Sequence, residues 1–336
     1  MKGRAGQNGG PPRFRKRLWV PQVRTPGQGP RSRFNPPNLQ RIPRSAPDWP
    51  RPLGQATLPS MDITPYLDRI GVSGPLRTDE DTLIRLHEAH LRTFPYENLD
   101  IQLGQRKSMD PERWQRRLVD EQRGGWCYEM NGLFSCVLRE IGFRVDRLGG
   151  GVYRDRLGDE SVGNHMVLLV DLGRPMVADV GLGDGPLHPF PLEARRWSEG
   201  AFAFGLEPVD GSWWRFHNHE HGLAKNFDFQ EKPWALEDYA PTCAQLQDGE
   251  ESVFRALAMT FRRDPERIRG LRDLTAFVIE DGRVDERRIE TFEDYAAALG
   301  PLIDFELGED LPRLYTQVRD RVAERKKLEE ALSSET

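Results

Sequence analysis

The chain has 336 residues, of which 37% are hydrophobic and 30% charged, and a net charge of −5. That length accommodates one large domain or two to three smaller ones, each with its own core. No apolar run approaches the roughly 20 residues that a membrane-spanning helix requires, so the sequence reads as a soluble protein with no membrane partner.

Charge is unevenly distributed. Residues 1–60 hold 12 Lys or Arg against Asp48 alone, which leaves 36 basic and 52 acidic side chains over residues 61–336. A body of that sign has no basic face for a phosphate backbone, so nucleic acid is not an expected partner. Cys127, Cys136 and Cys243 are an odd number without paired spacing. They argue against a disulfide framework and for a reducing, cytoplasmic setting with Cys127 as a free thiol.

Residues 1–60 are rich in Pro, Arg, Gly and Gln and show no helical or strand period. They read as a disordered basic extension, or as sequence upstream of a native start at Met61. Globular texture begins at Met61 with an amphipathic piece, Ile63 to Ile70, ended by Gly71. A second helix starts at Thr78 and Asp79 and carries Leu83, Ile84, Leu86, His87, His90 and Leu91 at helical spacing. Asp110 before Pro111 starts a third, through Trp114 and Leu118. A fourth carries Met130, Leu133, Phe134, Val137, Leu138 and Ile141, with Gly142 as its cap. At about 100° per residue, Cys127 lies about 50° from the centre of that apolar stripe and Cys136 about 130° away. Cys127 therefore falls in the first turn, at the edge of the buried face.

Beyond residue 145 the period becomes that of strands: Val145 to Val152, His165 to Leu172, Met176 to Val180, Trp213 to His217 and Leu223 to Phe229. Their short lengths and spacing predict an antiparallel barrel or sandwich. The remainder mixes helices, near Ser252 to Met259 and Glu293 to Leu299, with strand-like Leu274 to Ile279 and Arg287 to Thr291. The predicted organisation is a helical domain over 61–145, a β-barrel domain over 146–250, and an α/β lid with a C-terminal helix over 251–336.

A thiol becomes a good nucleophile when a helix N-terminus and a neighbouring imidazolium stabilise its thiolate. Cys127 has the helix terminus, and Gly124 and Gly125 just upstream allow backbone N–H groups to approach a ligand oxygen as an oxyanion site. His165 opens an apolar strand, where its ring can face a cleft. Asp179 ends the next strand, and antiparallel pairing would set its carboxylate near His165 to fix the tautomer. Each of the three also has an ordinary structural reading, as a small buried hydrophobe, a satisfied histidine and a turn former.

The segment Arg123-Gly-Gly-Trp-Cys127-Tyr-Glu129-Met-Asn131-Gly resembles the Arg-Gly-Gly-x-Cys-x-Glu-x-Asn signature of the arylamine N-acetyltransferases. Phe94-Pro95-Tyr96-Glu97-Asn98-Leu99 is similar to that family's Pro-Phe-Glu-Asn-Leu block, and Asp179-Val-Gly-Leu-Gly183 to its Asp-Val-Gly-Phe-Gly. The resemblance runs from about Met61 to about Arg325. It implies an α+β fold with a cysteine-protease-like core, and a catalytic triad of Cys127, His165 and Asp179. It also implies an acceptor pocket at Tyr96, Val152 and Leu182, where this chain has Tyr and Leu in place of two phenylalanines. The implied reaction is ping-pong transfer of an acetyl group from acetyl-CoA, as co-substrate, to an arylamine, hydrazine or N-hydroxyarylamine, with no bound cofactor and no metal. Amide synthases of the same fold, which close a polyketide chain into a macrolactam, and a thiol hydrolase are the alternatives. Near the C-terminal part the family often shows Ser-Pro-x-Ser-x-Phe, of which this chain keeps only Ser252-Val-Phe254, preceded by Asp248, Glu250 and Glu251.

Other clusters have simpler readings. His217-Asn-His219-Glu-His221 puts three imidazoles on one face of a strand, which reads as a solvated hairpin with a metal site as the lesser alternative; Arg123 and Glu129 suggest an ion pair bracing the nucleophile loop; and Arg262-Arg263 with Arg267 to Arg272 reads as a solvated tip, with phosphate contact as its alternative.

Overall fold

In the computed structural model, which describes residues 61–334, the first helix, α1 (Thr64–Ile70), carries a proline in its opening turn and ends at Gly71. The expected 1–60 extension lies outside the described residues. Helix α2 (Glu80–Thr93) is capped by the Asp79 carboxylate, which accepts from the Thr82 N–H at 2.9 Å. There follow a two-residue strand β1 (Tyr96–Glu97), a short helix α3 (Leu99–Gln102), and α4 (Pro111–Gln115), which runs into a wider π-type turn ending at Asp120. Helix α5 (Cys127–Ile141) stops at Gly142. Every residue of α5 from Cys127 to Leu138 is buried, Cys136 included, because the other helices cover one side and a large sheet the other. The helix is enclosed all round rather than along one stripe.

The second half opens with β2 (Arg144–Val152), a one-turn helix α6 (Arg154–Leu157), β3 (Val162–Asp171) and β4 (Pro175–Ala178). It continues through β5 (Phe190–Pro191), β6 (Arg195–Glu199), β7 (Phe202–Pro208), β8 (Trp213–His217) and β9 (Asn226–Pro233). These eight strands form one antiparallel sheet in the order β5-β4-β3-β2-β9-β8-β7-β6, curled into a half-barrel. Its end strands β5 and β6 do not pair, so the predicted barrel is open. Trp234 lies flat on the sheet at Gly149, where an added Cβ would stand 2.5 Å from the indole Cζ2. Only a glycine fits under that ring.

After α7 (Ala240–Asp248) and α8 (Val253–Ala256) the chain forms β10 (Met259–Arg263), β11 (Arg267–Arg272), β12 (Thr275–Glu280) and β13 (Arg283–Arg288). The helix expected from Ser252 to Met259 is thus one turn, capped by the Ser252 hydroxyl, and Met259 already belongs to a strand. A second sheet runs β1-β10-β11-β12-β13, so residues 96–97 from the helical region supply an edge of the C-terminal sheet. Helices α9 (Phe292–Leu299) and α10 (Asp310–Ser334) complete the fold, and Leu299, Leu314 and Val318 join a smaller core with Leu271 and Ile289. The larger core joins the N-terminal helices to the half-barrel, with α5 at its centre. Among the described residues no helix is long and apolar enough to cross a membrane.

Candidate active site

Cys127 is the first residue of α5, so the helix's unsatisfied N–H groups lie beside its side chain. The thiol is 2% exposed and its Sγ lies 3.9 Å from the Asn164 carbonyl oxygen, at the start of the segment bearing His165. His165 sits in β3 opposite Gly150 of β2. In the β3–β4 pairing Leu168 faces Ala178, which brings the next residue, Asp179, back alongside His165. His165 Nε2 and Asp179 Oδ2 are 2.7 Å apart. The other ring nitrogen is not engaged by Asp179, and the Cys127 thiol lies close enough to the imidazole to act on its charge. Cys127, His165 and Asp179 are therefore brought together.

Burial opposes a charge on His165, yet the Asp179 carboxylate, the bond to it and the Cys127 contact overcome that and raise the imidazole to about 10. Asp179 is buried too, which opposes ionisation, but His165, Asn131 and the Gly181 N–H hold it below the usual carboxylate range. The pair is thus poised as imidazolium and carboxylate.

Three residues hold the Asp179 segment. Asn131, one turn after Cys127 on α5, donates from Nδ2 to Asp179 Oδ1 at 2.7 Å and to the Met166 carbonyl at 2.6 Å. Its Oδ1 accepts from the Val180 N–H at 2.9 Å. Gly181 packs against Cys127 itself, since a Cβ there would lie 2.8 Å from Cys127 Cα and 2.5 Å from Asn131 Nδ2. His87 of α2 accepts the Asp179 N–H at Nε2 (3.1 Å) and therefore donates from Nδ1 to the Leu187 carbonyl (2.8 Å). Burial lowers its imidazole to about 4, which keeps it in that neutral form.

Beneath the loop before Cys127 lies a buried ion network that the sequence reading misassigned. Arg123 does not pair with Glu129; it bonds Asp100 at 2.6 Å, while Glu129 takes Lys107 at 2.8 Å and Arg117 Nε at 3.2 Å. Arg117 also reaches Glu97 at 3.2 Å and pairs with Asp100. Lys107 and Glu97 are fully enclosed. Glu129 also reaches back to the Trp126 N–H at 3.4 Å, which ties the network to the start of α5. The expected oxyanion role of the glycines needs the same kind of correction. The Gly125 N–H donates to the Pro95 carbonyl at 3.1 Å, and Gly124 is pressed against Pro95 and Glu97, so both serve the pairing with β1.

Of the expected pocket residues, Tyr96 stands beside Gly125, with its ring stacked on Phe261 at 6.0 Å and covered by Gly183. Tyr96 is 8% exposed, and its hydroxyl has no partner among the described residues. Leu182 is buried in the loop after Asp179, and Val152 pairs with Phe227, whose ring lies 4.9 Å from that of His165. Phe227 was not singled out from the sequence, although its strand was. Ser252-Val-Phe254 is anchored under the site, with the Phe254 ring edge-on to Trp126 at 5.1 Å and its carbonyl accepting from Asn98 at 2.9 Å. Of the preceding acids, Asp248 pairs with Arg106.

The three histidines at 217–221 do not share a strand face, because β8 ends at His217. His217 bonds Glu207 at 2.8 Å, His219 bonds the Asp184 carbonyl at 3.0 Å, and His221 approaches the Gly282 carbonyl at 3.2 Å. Among the described residues no three His, Cys, Asp or Glu side chains converge as a metal site. Nor is the arginine tip fully solvated: Arg263 is buried, donating to the Gly185 carbonyl at 3.2 Å.

Comparison with known proteins bears on the chain as a whole. The N-acetyltransferase family model matches residues 79–311, more than half of the chain. An arylamine N-acetyltransferase of Mycolicibacterium smegmatis is 44% identical over 143 residues, a stretch covering 40% of this chain and 52% of that relative. A human arylamine N-acetyltransferase is 29% identical over 246 residues, covering 66% of this chain and 84% of the relative. The chain thus aligns with about half the length of the first and most of the second. Among solved structures, the Nocardia farcinica arylamine N-acetyltransferase superposes with a TM-score of 0.69 at 30% identity, covering 76% of this chain and 93% of that one. The Mycobacterium marinum arylamine N-acetyltransferase in complex with CoA has a TM-score of 0.69 at 26% identity, covering 76% and 98%. By its sequence, its α+β architecture and the matched residues, the chain belongs to the N-acetyltransferase family.

Proposed function

We propose that this protein is an arylamine N-acetyltransferase that works by a ping-pong mechanism with Cys127 as nucleophile. Cys127 Sγ, its proton held by His165, attacks the thioester carbonyl of acetyl-CoA. The carbon–sulfur bond to CoA breaks, the CoA sulfur takes the proton from His165, and the acetyl group stays on Cys127. An arylamine, hydrazine or N-hydroxyarylamine then attacks the acetyl carbonyl, His165 takes a proton from the incoming nitrogen or oxygen, and the Cys127 sulfur leaves. Asp179 holds the ring and balances its charge throughout. No metal or bound cofactor enters either step, and acetyl-CoA is a co-substrate.

The observation that carries this reading is the His165–Asp179 contact of 2.7 Å, in a pair placed against a thiol at the first position of a fifteen-residue helix. The relatives' names support the donor and acceptor classes. Tyr96, Val152 and Leu182 line the acceptor pocket, and the three unpaired thiols suit the cytoplasm. The test is arylamine-dependent release of the CoA thiol, lost in Cys127→Ser. Equal release with and without an arylamine would make the protein a hydrolase instead, and turnover only of long carrier-bound acyl chains would make it an amide synthase.

A further inference from the structure

Behind the nucleophile helix lies a cationic cluster that acetyl transfer does not use. Arg147 of β2 is 8% exposed, and its Nε and Nη1 are buried with no hydrogen-bond partner among the described residues. It shares a strand face with Val145 and Gly149. Arg139 of α5 lies over the same face and donates to the Val145 carbonyl from Nε at 3.2 Å and Nη2 at 2.7 Å. At Gly149 the face is covered by Trp234, whose ring lies 5.0 Å from that of Tyr239. Tyr239 is fully buried, and its hydroxyl too has no partner. Cys136, three residues before Arg139 on α5, lies near Arg147.

Two buried guanidinium nitrogens without a partner are costly for a core to hold, and arginine does not readily escape by losing its proton. Burial weakens the charge on both arginines here, and on Arg139 the nearness of Arg147 adds to it. Asp146 and Glu237 act on Arg147 only from a distance; Asp146 points to the other face of β2, and its own carboxyl is pushed up by burial. Two positive charges and three unmet donors, Arg147 Nε and Nη1 and the Tyr239 hydroxyl, therefore gather behind α5, with the Val145 carbonyl taken by Arg139. A water molecule would meet some of the donors and neutralise nothing.

We propose that Arg147, Arg139 and the Tyr239 hydroxyl hold a small monovalent inorganic anion, chloride in solution, as a structural ligand. The walls supplied by Trp234, Tyr239 and Cys136 suit a single, weakly hydrated charge better than a dianion such as phosphate, whose desolvation is far costlier. Arg139 is half-buried, which leaves a path from solvent. The Tyr239 ring lies 5.7 Å from that of Tyr128, the residue after Cys127, so a filled site steadies the first turn of α5.

Crystals grown in bromide in place of chloride test the site, with an anomalous peak expected between the Arg147 guanidinium and Tyr239 Oη. Density there without anomalous signal would be a water and would overturn the proposal. In solution the full chain is melted in sodium chloride and in sodium gluconate at equal ionic strength. Above the site's Kd, each tenfold rise in chloride is expected to lift Tm by about 3 °C. Arg147→Met removes that dependence and leaves melting alike in both salts. Should that variant fail to fold, the bromide experiment on the wild type decides, and a wild-type Tm equal in both salts contradicts the proposal.

Discussion

Asn131 Nδ2 donates to Asp179 Oδ1 at 2.7 Å, so the helix that begins at Cys127 is bonded directly to the carboxylate that holds His165. Because Asn131 also takes the Val180 N–H, no other side chain of similar size supplies both contacts. Asn131→Leu is expected to lower kcat/KM for arylamine acetylation about 100-fold, the order of loss that follows small misplacements of reacting groups. Steady-state kinetics beside a far-UV CD spectrum checks this, with the fold retained.

Asp179→Asn keeps the shape of the site but removes the charge that sustains the imidazolium. The expected loss in kcat is about 10³–10⁴-fold. The His165 ring, which keeps its proton up to about 10 in the native protein, then releases it nearer neutrality. A pH titration of the His165 ring signals by NMR measures that change.

Gly181→Ala places a methyl group 2.8 Å from Cys127 Cα and 2.5 Å from Asn131 Nδ2. The Asp179 loop must then lift away from α5. A loss of about 1–3 kcal/mol in unfolding free energy is expected, together with a fall in activity larger than that of a surface Gly→Ala control. Urea unfolding and kcat measured on the same samples check both.

The buried ion network gives the acid side of the stability curve. Burial raises the Glu97 carboxyl, but Lys107, Arg117 and Arg123 outweigh it and hold it down to about 2 against a usual 4.5. A depressed carboxylate stabilises the fold fully above its unfolded pKa, so this contribution is lost as pH falls from about 4.5 towards 2. Lys107→Met leaves Glu97 and Glu129 short of a counter-charge and is expected to cost about 3–5 kcal/mol at neutral pH. With less depression to lose, its stability also declines less steeply in acid. Chemical denaturation at a series of pH values reads both effects.

Tyr96 presents an unpartnered hydroxyl where the resemblance leads one to expect phenylalanine. Tyr96→Phe is expected to leave Tm nearly unchanged. It should lower kcat/KM about tenfold for arylamines that carry a hydrogen-bonding ring substituent, relative to unsubstituted aniline. A panel of substituted anilines tests this.

Local signals and a family signature singled out Cys127, His165 and Asp179 as candidates: a helix start after two glycines, an apolar strand and a strand end, although β3 begins at Val162 and His165 lies inside it rather than at its opening. Their supports were not legible. His87 is 92 residues from Asp179 and Lys107 is 22 from Glu129, and only packing decides which partner a buried charge or ring finds. Arg123 was assigned the nearer acid in sequence, whereas the structure gives it Asp100. The glycines before Cys127 suggested an oxyanion site, but the close approach they allow is to Pro95 of the neighbouring segment. The histidines at 217–221 were read on a two-residue period that stops being valid where β8 ends. The barrel was legible from strand spacing and its open edge was not, since β5 and β6 follow one another directly in the chain, as a hairpin would, and yet stand at opposite edges of the sheet.

The central claim is that Cys127 carries the acyl group, and the most direct measurement is the intact mass of the protein after brief exposure to acetyl-CoA without an amine. One added acetyl group, mapped to Cys127 by peptide analysis and discharged when an arylamine is supplied, is the expected result. An unmodified protein that still acetylates arylamines, or an adduct on Cys136 or Cys243 instead, would contradict it.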